Sequence, residues 1–268
     1  MQIGALVNAK DALREIYLTS CGTESDNRAI DIAIHHFSQH KEKWQLAQGG
    51  KANVASKVPH VVTCVTEHPA VINYLRALVR EQRISLTVLP VDAQGFVSVA
   101  EVKQSLTVDT ALVTLMHSNN EVGTLHPLKE VAQVIKQFNL QSRGEACVLL
   151  HSDGAQSLGK VLIDVQALDL DMLTIVGHKF GAPKGVAALY IRSNVDTVPM
   201  LVGGGQERGV RSGTENVALA VGLGEASRLA LEECSALLLH LLSLKLRLVT
   251  ALVEGFASPA EVFSIILL

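Results

Sequence analysis

The chain has 268 residues, 48% of them hydrophobic and 18% charged, with a net charge of −3. That length and balance support a buried core in one large domain or two small ones and exclude a disordered chain. The slight negative charge and an aromatic content of 4% argue against nucleic acid or an anionic membrane surface as a partner.

Residues 15–20 (EIYLTS) predict a first strand and residues 24–40 a helix. The polar, turn-rich stretch 41–57, with Gly49-Gly50, predicts a surface loop or insertion. Strands are then expected at 60–65, 84–90, 110–116, 146–151 and 172–176, with helices at 69–82, 97–106 and 127–139 between them. Residues 186–191 follow Lys179 too closely for a helical crossover and predict an antiparallel strand. This alternation predicts an α/β fold, a mainly parallel sheet covered by helices on both faces. Residues 1–222 are expected to form one large domain, with 223–268 a helical tail opening a second, truncated one. Both ends look abrupt, the first lying just before a strand. Leucine-rich residues 236–253 are interrupted by His240, Lys245 and Arg247. A spanning helix wants about 20 mostly apolar residues, so an amphipathic helix packed on a domain or partner is expected, with no membrane partner.

Cys21, Cys64, Cys147 and Cys234 form no C-x-x-C pair. They predict reduced, mostly buried thiols in the cytosol rather than a disulfide framework or a metal site. Met1-Gln2-Ile3-Gly4 shows no secretory pattern.

Ligands of open α/β sheets bind at the carboxyl ends of the strands, and four polar clusters fall there. Thr19-Ser20-Cys21-Gly22-Thr23-Glu24-Ser25 carries a glycine turn into a helix start, where free N–H groups suit an anion; an ordinary helix cap is the plainer alternative. Thr66-Glu67-His68-Pro69 offers an imidazole that could lie on an aromatic ring, move protons or simply cap a helix. His151-Ser152-Asp153-Gly154-Ala155-Gln156 places a carboxylate at a buried strand end, where a protonated pyridine-type nitrogen would be a suitable partner and a structural turn cap is the alternative. In Val176-Gly177-His178-Lys179-Phe180-Gly181-Ala182-Pro183-Lys184-Gly185, a partly desolvated Lys179 could act as an amine nucleophile, whereas Lys184 reads as a solvent-facing charge.

Taken in order, the motifs T-S-C-G-T-E-S-D-N, T-E-H, N-N-E-V-G-T, H-S-D-G-A-Q-S, G-H-K-F-G-A-P-K-G and G-G-G-Q-E-R-G-V-R-S-G-T resemble the class V aminotransferase-type enzymes, the cysteine desulfurases and selenocysteine lyase. The resemblance runs from about residue 15 to about residue 216. It implies the aspartate aminotransferase-like, fold type I architecture and pyridoxal 5'-phosphate as cofactor. Lys179 would hold the cofactor as a Schiff base and later carry the α-proton, Asp153 would pair with the ring nitrogen, and His68 would stack on the ring. Gln156 and Asn120 would contact the ring oxygen or the substrate, while Gly22, Thr23 and His178 would hold the phosphate. Thr214 would reach the phosphate of a neighbouring subunit, which implies a homodimer acting on a small amino acid. Val176, where desulfurases commonly carry serine, the long segment 37–60 and the string 203–216 resemble the lyase, which implies conversion of L-selenocysteine to L-alanine and reduced selenium. Sulfur release from L-cysteine is the sibling reading.

The family's N-terminal arm is not recognisable, nor is a C-terminal domain with its cysteine loop and carboxylate-binding arginine. Cys21 matches a small residue of the phosphate turn. A catalytically impaired fragment that binds the cofactor without turnover is therefore a further reading, ahead of an ordinary aminotransferase.

Overall fold

The computed structural model describes residues 1–47, 58–142, 144–199 and 201–255. Its centre is a seven-stranded sheet built from β1 (Ile16–Thr19), β2 (His60–Cys64), β3 (Ser85–Leu89), β4 (Thr110–Thr114), β5 (Leu149–Asp153), β6 (Met172–Ile175) and β7 (Ala187–Ile191). The strand order is β1-β7-β6-β5-β4-β2-β3. The pairs from β3 to β6 are parallel, and β7 runs antiparallel to both β6 and β1. The α/β fold, the mainly parallel sheet and the antiparallel strand at 186–191 were all legible in the sequence.

Helices cover both faces. The chain opens with α1 (Gln2–Leu6) and α2 (Ala12–Glu15), so two short helices precede the first strand. They are followed by α3 (Gly22–Ala47), α4 (Pro69–Arg80), α5 (Val99–Ser105), α6 (Leu128–Gln141) and α7 (Val217–Gly255). Successive strand side chains point to opposite faces, so neighbouring residues enter different cores. Val62, Val113, Leu150 and Leu173 pack with Val102, Val131, Leu223 and Ala226 on one face. On the other, Val61, Leu112, Leu149 and Met172 pack with Ile30, Ala33, Val71 and Leu75. In α4, Val71, Ile72, Leu75 and Leu78 form the buried stripe of a 3.6-residue repeat, after Pro69 in the first turn. Each fully buried leucine contributes about 1.5–3 kcal/mol.

Two expectations change, and one expected boundary falls on a continuous element. Residues 41–47 continue α3 instead of opening a loop, while 48–57 lie outside the described residues. Lys, Glu, Gln, Leu and Ala are good helix formers, and Lys41 reaches over the Phe37 and Trp44 rings at 5.5 and 6.0 Å. The strand expected at 146–151 is displaced to Leu149–Asp153, which makes Asp153 the last strand residue. The expected division at 222/223 falls inside the continuous helix α7, whose Leu223, Ala226 and Ala230 belong to the main core.

The distal part of α7 is helical as expected; Leu238 and Leu241 border a recess with Lys160 and Val161, but most of its leucines are exposed among the described residues. Leu239 and Leu246 are 69% and 68% exposed, and Leu241, Leu242, Leu244 and Leu248 are exposed as well. Among the described residues, α7 is the helix long and apolar enough to cross a membrane by length and composition, a test that core helices of soluble proteins also meet.

Candidate active site

Five strand ends converge on one cavity of about 210 Å³, lined by Gly22, Thr23, His68, Asn120, Asp153, Gln156, His178 and Lys179 together with Cys21, Asp26, Met116, Ala155 and Val176. Eight of the nine residues singled out from sequence therefore meet in one place. Thr214 does not; it lines a separate recess of about 220 Å³ with Ser20, Glu207 and Arg211.

The wall from β1 is the start of α3. Gly22 is its first residue, and a Cβ there would lie 2.6 Å from Val176 Cγ2. Glycine is thus required by close approach to the next strand end rather than by the turn inferred from sequence. Glu24 receives a two-pronged ion pair from Arg211, at 2.9 and 3.2 Å, and also bonds Ser20. Although burial opposes it, these partners hold the Glu24 carboxyl below its ordinary range. Cys21 is exposed on the cavity wall, unlike the buried thiol expected.

From β2 comes His68, the N-cap of α4, whose Nδ1 accepts from the Ala70 N–H at 3.2 Å. The cap reading and the cavity reading are both met by one ring, and the neutral tautomer that satisfies the cap carries its proton on Nε2. Beyond β4, the two asparagines of N-N-E-V-G-T divide their work. Asn119 accepts from the Glu121 and Val122 N–H groups and donates to Thr66 O at 3.1 Å, fixing the loop to the preceding strand end. Asn120 is left facing the cavity.

From β5, Asp153 is 5% exposed and accepts from the Ala155 N–H at 2.8 Å. Burial raises its carboxyl, opposed by that hydrogen bond and by His68 and Lys179. From β6, Lys179 ends a 3-10 turn, Gly177–Lys179, and is exposed rather than desolvated. A Cβ on Gly177 would lie 2.5 Å from Leu223 Cδ1, so the lysine turn is seated directly on α7.

Two residues escaped the sequence reading. Asp26, inside α3, is 2% exposed, lines the cavity and has no partner for Oδ1. Glu67, beside His68, is buried and accepts from the Met116 N–H at 2.6 Å, with Oε2 unpartnered. Burial pushes its carboxyl up to about 8. A single acid in a helix or turn normally signals a solvated face, so only the fold reveals these two. Among the described residues no cluster of His, Cys, Asp or Glu is arranged to hold a metal ion.

A family model described as aminotransferase class-V matches residues 1–247. A cysteine desulfurase of Nostoc sp. is 43% identical over 230 residues, 86% of this chain and 50% of that protein. A solved NifS-like protein superposes with a TM-score of 0.81 at 32% identity, covering 94% of this chain and 62% of its own. A structure described as SspA in complex with cysteine gives a TM-score of 0.69 at 32% identity, with 84% and 58% covered. The chain spans about half the length of the curated relatives it matches. The names of these relatives favour the cysteine desulfurase branch over the lyase to which Val176 and the segment 37–60 pointed.

Proposed function

This chain belongs to the class-V aminotransferase family, and from that premise we propose that it carries the cofactor site of a pyridoxal-phosphate-dependent cysteine desulfurase, which takes sulfur from L-cysteine and leaves L-alanine. The convergence of Lys179, Asp153, His68 and Thr23 on one cavity carries the reading. The residues present fit the cofactor. Asp153 offers a nearly buried carboxylate to a ring nitrogen, and the cavity it lines also holds a buried oxygen without a partner, Asp26 Oδ1.

Pyridoxal phosphate, when bound, supplies an electron sink for charge developing at the substrate's α-carbon. Lys179 would hold it through Nζ and would serve the α-proton; its exposed position leaves the amine accessible. Asp153 would favour a protonated ring nitrogen by placing a negative charge beside it. His68, fixed by its bond to Ala70, would stack on the ring, and Gln156 and Asn120 would contact the ring oxygen or the substrate. Gly22, Thr23 and His178 would bind the phosphate, helped by the positive end of the 26-residue helix α3. Thr214, in its separate recess, would serve a neighbouring subunit's phosphate in a homodimer. Cytosolic residence is supported by four free cysteines.

One observation favours binding without turnover as a second reading. Of the four cysteines only Cys21 lines the cavity, and burial pushes the Cys64 and Cys147 thiols up to about 12, leaving them poor nucleophiles. The test is alanine formation by the purified chain from L-cysteine and, separately, L-selenocysteine, with dithiothreitol as thiol acceptor. Alanine from L-cysteine is expected. Preference for L-selenocysteine would restore the lyase reading, and no alanine despite bound cofactor would favour the second.

A further inference from the structure

Two carboxyls, not one, face the floor of the cavity. Asp26 projects from the first turns of α3 and Asp153 from the end of β5, and both are nearly buried. Their surroundings differ in sign. Asp153 accepts the Ala155 N–H and has the Lys179 amine nearby. Asp26 has the Thr174 hydroxyl, on the β6 residue paired in register with Asp153, and an Oδ1 without a partner.

The titratable groups that face Asp26 are Asp153 and His151 of β5, Glu67 at the β2–α4 turn and Cys21 at the start of α3. His151 Nε2 is 3.9 Å from Asp26 Oδ1, but the ring is held between the hydroxyls of Thr114, at 2.8 Å, and Thr174, at 3.1 Å. Complete burial pushes the imidazole down to about 3, so it supplies no cation. Every ionised neighbour of Asp26 would be negative.

We propose that Asp26 is a positioning residue that holds the one proton of this carboxyl pair, leaving Asp153 as the charged member that faces the cofactor's ring nitrogen. Two buried carboxyls in one site do not both ionise. The hydrogen-bond donor and the nearby Lys179 select Asp153 for the charge, so the proton goes to Asp26. In support, burial and then the charge on Asp153 raise the Asp26 carboxyl well above its ordinary range. The neutral Asp26 also leaves one unit of negative charge at the ring instead of two, which fixes the strength of Asp153 as a partner. The role toward the ring rests on the cofactor reading above; the location of the proton does not.

The experiment therefore uses the chain without cofactor. The folding equilibrium is measured by urea denaturation from pH 5.5 to 8.5 for wild type, Asp26→Asn and Asp153→Asn. A carboxyl raised in the folded state makes stability fall as pH rises above the unfolded value. Wild type and Asp153→Asn should be steeper than Asp26→Asn by one proton per molecule unfolded, or tenfold in the equilibrium constant per pH unit, the contribution of Glu67 being common to all three. The reverse assignment, with the slope lost in Asp153→Asn and kept in Asp26→Asn, overturns the proposal, as does a slope unchanged in both. If Asp26→Asn does not fold, the infrared carboxyl band of Asp153→Asn labelled with 13C-aspartate decides at pH 8, where Asp171, raised to about 6, is ionised. A protonated aspartate supports the proposal, and full ionisation overturns it. Adding pyridoxal phosphate to the same samples reports separately on the cofactor reading, because the proton count needs no bound cofactor.

Discussion

The two edges of the sheet treat buried acids in opposite ways. At the edge holding the amino ends of β5 and β6, Asp171 accepts the Leu150 N–H at 2.9 Å and lies 3.6 Å from Arg192 Nε. Arg192 also bonds Asp169 at 2.7 Å and the Leu170 carbonyl, so acids and base neutralise one another. At the carboxyl edge, Asp26, Glu67 and Asp153 are buried with two unpartnered oxygens among them. The first arrangement is what a fold needs to keep acids inside. The second leaves polar capacity unspent, which in a compact protein marks a place where a ligand completes the set.

The sharpest way to break this comparison is at Lys179. Lys179→Ala should abolish, not weaken, the yellow borohydride-fixable adduct that the wild-type chain forms with pyridoxal phosphate, read by visible absorbance. Residual fixable colour would place the reactive amine elsewhere.

Next comes the paired edge. Asp171→Ala removes the acceptor of a buried N–H and one partner of Arg192, and should cost about 3 kcal/mol in urea denaturation of the cofactor-free chain. Asp153→Asn, at the unmatched edge, should cost much less or stabilise. Equal losses would erase the distinction between the two edges.

Glu67 sharpens it through pH. Its carboxyl is raised to about 8 in the folded chain, so its favourable contribution is complete below the unfolded value near 4.5 and is lost as pH rises through 8. Glu67→Gln should therefore gain on the order of 2 kcal/mol over wild type at pH 8.5 and little at pH 5, measured as melting temperature against pH. A constant difference across that range would contradict the assignment. The smallest effect belongs to the exposed part of α7: Leu239→Ser should change stability by less than about 0.5 kcal/mol while reducing self-association in sedimentation, because this leucine is 69% exposed.

Much of this was readable in the chain because strands buried on both faces leave apolar runs, and a parallel sheet gathers the polar residues that follow them at one edge. That logic gathered Gly22, Thr23, His68, Asp153, Gln156, His178 and Lys179 before any coordinate, and the family resemblance added Asn120 and the roles. It could not locate Asp26 or Glu67, whose acidic side chains look solvent-facing until α3 and the β2–α4 turn press them against the sheet. Nor could it end α3 correctly, since residues 41–47 are polar in sequence and helical by propensity. The reason for Gly22 lay in Val176, a residue from the other end of the sequence, and only packing reveals it.

The central claim is that one amine, among several lysines near this edge, sits at the shared strand ends. It is tested most directly by reducing the chain with borohydride in the presence of pyridoxal phosphate and mapping the modified residue by peptide mass spectrometry. The account predicts a pyridoxyl group on Lys179. Modification of Lys160 or Lys184 instead, or of no lysine at all, would contradict it.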